Sequence, residues 1–61
     1  MTDDEMMSDL ELLSKIKAKA EELQLMAYQL NSKNWFTNIW YCVNDVILQC
    51  NYARNDIQKR L

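Results

Sequence analysis

The chain has 61 residues, 49% of them apolar and 26% charged, with a formal net charge of -2 and no glycine, proline or histidine. A chain this short makes one small domain that buries little surface by itself, so a partner is expected, while its apolar content excludes disorder. Lacking Gly and Pro, it is poorly suited to tight hairpin turns and so to a multi-stranded β fold. Lacking His, it has no Ser-His-Asp chemistry, no His-ligated metal site and no imidazole base.

The N-terminus reads Met1-Thr2-Asp3-Asp4-Glu5, acidic where a secretory signal is basic. Thr2 to Glu5 forms a capping box with an acidic first turn, which suits the positive end of a helix dipole. Ser8-Asp9-Leu10-Glu11 is a second capping box, with Met7 and Leu12 as a hydrophobic staple. The first helix therefore starts near residue 3 or near residue 9.

Two apolar rows follow at alternating steps of three and four, the spacing of a helix-packing seam. One is Met6, Leu13, Ala20, Ala27; the other is Asp9, Ile16, Leu23, Leu30, in which Asp9 is the misfit. Leu10, Leu12 and Met26 widen the stripe. Glu11 and Lys15 form a well-oriented i,i+4 pair.

Asn31-Ser32-Lys33-Asn34 interrupts this pattern. Asn and Ser compete with helical bonding and serve as caps and turn formers. The phases on either side require a reversal. The first register carried forward would put the seam on Asn34, Thr37, Tyr41, Asn44, Leu48 and Asn51, whereas the apolar rows are Phe36, Val43, Cys50, Ile57 and Ile39, Val46, Ala53, Arg60. The offset of two residues is about 200° at ~100° per residue. A straight helix would present its stripes on opposite faces; a turn brings both to one core.

Trp40, Ile47 and Leu61 flank the second seam. Lys59 and Arg60 suit the negative end of the dipole, and Asp56 and Arg60 form another i,i+4 pair. The expected fold is thus all-α, an antiparallel two-helix hairpin: one domain over 1–61, helix 1 about 3–30, turn 31–34, and helix 2 about 35–59, its start falling between 33 and 35.

One hairpin leaves much of these broad stripes wet, particularly Trp40, Ile47, Leu12 and Met26. Pairing of two hairpins into a homodimeric four-helix bundle is the expected remedy. Its core would comprise Leu13, Ile16, Leu23, Leu30, Phe36, Ile39, Trp40, Val43, Val46, Ile47, Cys50 and Ile57.

The residues point away from catalysis. Glu21 and Glu22 are neighbours pointing about 100° apart. No Glu-x-x-His, Cys-x-x-Cys or glycine-rich phosphate loop is present. Cys42 and Cys50 lack an activating His, and on one helix they stand about 12 Å apart along the axis, too far to bridge. They are expected as reduced thiols of a cytoplasmic protein, one of them in the core; a Cys50 bridge between subunits is the alternative. No cofactor or metal is expected. Asn38, Asn44 and Asp45 interrupt the most apolar stretch, Trp35 to Cys50, so no membrane span is expected.

A second stripe on helix 2 runs Asn38, Tyr41, Asp45, Leu48, Tyr52, Asn55, Lys59. Tyr gives large contact area at low entropy cost and Asn adaptable hydrogen bonds, so the stripe suits either a protein partner or packing within a larger oligomer. Tyr28, Trp35, Trp40 and Tyr41 are expected to cluster at the turn end, as an anchor or as a plug. The partner-binding candidates are Tyr41, Asp45, Leu48, Tyr52, Asn38, Asn55, Trp35 and Tyr28. Lys15, Lys17 and Lys19 spread across about 200° of helix 1, and Arg54, Lys59 and Arg60 would lie beside acidic residues 3 to 11, where they compensate charge. The acidic balance argues against non-specific nucleic-acid binding.

In outline the chain resembles the Rop-type plasmid proteins, which dimerise as helical hairpins and bind paired RNA loops. The resemblance rests on length, two-helix layout and Ala20, Ala27 and Ala53 in the seam. It includes no shared motif and carries over no RNA-binding residue. The expected function is that of a small non-enzymatic interaction module, a regulator, inhibitor or adaptor of another protein, of a size that suits a phage or mobile element. The alternatives are a hairpin dimer that binds structured RNA and a structural subunit of a larger assembly.

Overall fold

The computed structural model describes residues 3–61 and is all-helical: α1 is Asp3–Ala27 and α2 is Lys33–Arg60. Thr2, the first residue of the N-terminal capping box, lies outside the described residues. α1 already runs from Asp3 and passes through Ser8 and Asp9 without a break, so the second capping box does not start the helix. Asp3, Asp4 and Glu5 occupy the first turn, where their charge suits the exposed backbone N–H groups.

The reversal lies slightly earlier than the 31–34 read from the sequence. α1 ends at Ala27, and residues 28–32 connect the helices. The Gln29 N–H donates to the Met26 carbonyl and the Leu30 N–H to the Ala27 carbonyl, each at 3.0 Å. These three-residue bonds satisfy carbonyls that a helix end would leave open, and they wind the chain off its axis.

Ser32 then caps α2. Its backbone is extended, at φ -81 and ψ 115, and its hydroxyl accepts from the Trp35 N–H at 3.4 Å. Its carbonyl accepts from the Phe36 N–H at 2.9 Å. Lys33 and Asn34 are thereby drawn into the first helical turn. The Thr37 hydroxyl donates back to the Lys33 carbonyl at 2.9 Å. At the far end, the Leu61 N–H closes on the Gln58 carbonyl at 3.3 Å.

The helices lie antiparallel in a rod whose Cα extents are 46 × 14 × 12 Å. Asp9 and Leu13 lie beside Ala53 and Ile57 at the open end. Leu23 and Ala27 lie beside Ile39 and Val43 towards the loop.

The two rows of each seam have separated. On α1 the row of Met6, Ala20 and Ala27 is buried, at 7%, 3% and 4% exposure, and on α2 Cys50 is buried at 4%. Leu13, Phe36, Val43 and Ile57 in the same rows are half-buried. These inner rows form the hairpin's own core. Ala20 and Ala27 are small enough to let α2 approach closely.

The outer rows are open. Ile16, Leu23, Leu30, Ile39 and Val46 are all exposed. Among the described residues no large side chain of the hairpin is fully buried. Its accessible surface is 4902 Å², whereas a compact monomer of 7.3 kDa exposes about 4,200 Å². The excess is roughly 700 Å².

Candidate interaction surfaces

The outer rows share one side of the hairpin. In an antiparallel pair, residues displaced in the same rotational sense from the contact line of each helix emerge on the same face. Leu23, Met26, Leu30, Ile39 and Val43 line the loop end of a groove there. Leu12, Ile16, Leu23 and Val46 continue it through the middle, edged by Lys15 and Lys19. Asp9, Leu13, Ala53 and Ile57 complete it at the open end. The groove runs most of the rod's length and is most apolar near the loop.

Its floor is apolar and open to solvent. Ile16 is 47% exposed and Leu23 51%, so about half the ~1.5–3 kcal/mol that burial of such a side chain supplies is unrealised in one hairpin. Of the residues expected in a dimer core, Cys50 is buried; Leu13, Phe36, Trp40, Val43, Ile47 and Ile57 are half-buried; and Ile16, Leu23, Leu30, Ile39 and Val46 are exposed. Leu12 and Met26 are exposed beside them, while Trp40 and Ile47 are half covered.

The opposite side of the inner rows differs in composition. It carries Leu10, Lys17 and Gln24 on α1, and Trp40, Asn44, Ile47, Asn51 and Arg54 on α2, all half-buried. The Gln24 Nε2 is buried with no hydrogen-bond partner. Lys17 thus sits on this face, whereas Lys15 and Lys19 edge the groove, so the three lysines form no single basic ridge.

A third surface is the outward face of α2. Asn38, Tyr41, Asp45, Leu48, Tyr52, Asn55 and Lys59 are all exposed. Tyr41, Asp45 and Leu48 line a shallow depression together with Cys42 and Asn44. The sequence pattern does not join the last two to the stripe, because rows three and four apart omit residues one step round the helix.

The aromatic side chains near the loop form two pairs instead of one four-ring cluster. Tyr28 packs on Phe36 with centroids 5.1 Å apart and planes tilted by 38°. Trp40 meets Tyr41 edge-on at 5.4 Å and 89°. Trp35 and Trp40 are five residues apart in sequence, about 140° round the helix, so they emerge on opposite sides of α2. Trp35 and Tyr28 are both exposed. Tyr28, Leu30, Asn31, Lys33 and Phe36 enclose a small pocket at the loop.

The charged side chains are mostly solvated. Arg60 pairs with Asp56 at 3.3 Å and Lys19 with Glu22 at 3.7 Å, both exposed. Such pairs contribute a few tenths of a kcal/mol. Glu11 and Lys15 do not pair: Lys15 stands at the groove edge. Cys42 and Cys50 are free thiols, the first exposed and the second buried. Among the described residues no group of three or more Cys, Asp or Glu is placed to hold a metal ion, and no helix is long and apolar enough to cross a membrane. Compared with known proteins, the chain matches no family model, no curated protein and no solved structure.

Proposed function

We propose that the protein is a non-enzymatic interaction module: a homodimeric helical hairpin, forming a four-helix bundle, that docks on another protein and acts as its regulator, inhibitor or adaptor. The observation that carries this reading is the division of labour between surfaces. The groove is unfinished apolar core, suited to a second helical pair. The outward stripe of α2 lies on a different side and leaves Tyr41 and Tyr52 60% or more exposed, with Asn38, Asp45 and Asn55 interleaved as hydrogen-bonding groups. Exposed tyrosines among short polar side chains are the composition of a contact surface, not of ordinary solvated helix. Two free thiols fit a reducing, cytoplasmic setting.

The test is affinity capture from a host lysate by the native chain and by a Tyr41→Ala/Tyr52→Ala double variant, with circular dichroism of both. A partner held by the native chain and lost by an equally helical variant supports the reading. Equal capture by both would place binding elsewhere.

A further inference from the structure

We infer that the groove is occupied by a second copy of this chain whose twofold axis runs along the helices, so that α1 packs against α2 of the other copy and the two loops lie at the same end. The inference rests on the homodimer reading and adds the arrangement.

Area favours a second copy as the occupant. The hairpin's excess surface of roughly 700 Å² over a compact monomer is close to the ~800 Å² that one partner contributes to a stable interface. An occupant the size of one helix would cover the groove floor; a second hairpin also covers its edges, because it brings an identical groove and edges of its own.

The direction of the axis follows from how the groove is graded along its length. Near the loop it is lined by Leu23, Met26, Leu30 and Ile39. At the open end it carries Asp9 and Ala53, with Arg60 the next residue along the outer row of α2. With the axis along the helices, apolar end meets apolar end, and Asp9 lies opposite Arg60 of the other copy. With the axis across the helices, Leu23 would be pressed onto Asp9 and Ile39 onto Arg60. That burial leaves the Asp9 carboxylate without a partner and strips water from the Arg60–Asp56 pair, which is disfavoured.

The edges give a second, independent reason. Lys15 and Lys19 edge the middle of the groove on α1. An axis across the helices sets α1 antiparallel to its own copy, with Lys15 facing Lys19 at the centre. An axis along the helices sets these lysines against the edge of α2 instead, where the uncharged Gln49 stands level with them. Like charges at close approach are destabilising, and this arrangement avoids them.

Disulfide trapping with the native Cys42 distinguishes the arrangements. Cys42 is exposed and, one residue on from Tyr41 and one before Val43, lies where the outward face of α2 turns towards the groove. Met26, on the opposite edge, stands level with Ile39 and Val43, so the proposed dimer brings it to Cys42 of the other copy. Gln49, on the same edge as Cys42, stands at mid-height, level with Lys15 and Lys19, and would meet Gln49 of the other copy only with the axis across the helices. Within one chain Gln49 and Cys42 are about 10 Å apart along the helix, too far to bridge.

The full-length chain is prepared as Met26→Cys and, separately, as Gln49→Cys. Both are checked by light scattering in reducing buffer and then oxidised with copper phenanthroline. The expected result is a dimer for both, with covalent dimer at least fivefold more abundant for Met26→Cys and its bridge mapped by mass spectrometry to Cys42. The reverse yield, or a dimer that gives neither bridge, overturns the arrangement and leaves the homodimer standing. A monomer at all concentrations sinks the homodimer reading and this inference with it.

Discussion

The two long faces of the hairpin are built on the same inner rows and end in opposite conditions. On the groove side, the large apolar residues next to the core are Ile16, Leu23, Leu30, Ile39 and Val46, and all are exposed; only Asp9 and Ala53 at the open end are half-buried. On the other side they are Leu10, Lys17, Gln24, Trp40, Ile47 and Arg54, and all are half-buried. The more apolar face is the wetter one. A helix pair can rotate its helices to cover either flank, and this pair covers the mixed flank. Lys17 and Arg54 have apolar stems that can lie along the core with the charge in water, which branched aliphatic side chains cannot do. The difference marks the groove side as the place where further burial is available and the other side as finished.

The comparison can be broken most directly at the inner row that both faces share. Ala20 is 3% exposed, and Ala20→Leu forces extra atoms into the closest approach of the helices. A loss of about 1–3 kcal/mol is expected, read as a lower urea midpoint by circular dichroism. Ala18, exposed on the outside of α1, is the control, and Ala18→Leu should change the midpoint little. Equal effects at the two positions would mean that the inner row is not the core.

The groove side is next. Leu23→Asp would set an unpaired carboxylate in the centre of the proposed dimer face, where several kcal/mol of desolvation oppose association. The dimer dissociation constant should rise at least tenfold, measured by sedimentation equilibrium. Leu25→Asp, on the outward surface, should leave it unchanged. If Leu25→Asp weakens association as much as Leu23→Asp, the two faces do not differ as described.

The smallest effect belongs to the finished side. Gln24 keeps a buried Nε2 without a partner, and an unpaired buried polar atom is costly. Gln24→Leu should therefore be neutral or raise stability, by up to about 1 kcal/mol, with the oligomeric state unaltered. A clear loss of stability would show that the amide is paired in solution.

Much of this architecture is legible in the chain alone. The steps of three and four over Met6 to Leu30 and Phe36 to Ile57 mark two helices, and the offset of two residues between their registers demands a reversal, because a helix has a fixed angle per residue. Ser32 is legible as a cap because its short hydroxyl reaches the backbone N–H three residues on. The tyrosine stripe of α2 was equally visible, since its spacing puts it on one face whatever the packing. The last residues of α1 were not. Leu30 continues the apolar row, so periodicity extends the helix to it, whereas the chain leaves the helix at Ala27 to make its turn. Nor could spacing foresee the depression that joins Cys42 and Asn44 to Tyr41, Asp45 and Leu48.

Periodicity defines an apolar stripe two rows wide and is silent on which row meets the sibling helix. That choice belongs to the tertiary structure, because it depends on how closely two helices can approach and how each is rotated. Ala20, Ala27 and Cys50 let the inner rows close on one another; the bulkier Ile16, Leu23, Ile39 and Val46 are turned outward together, and with them the groove.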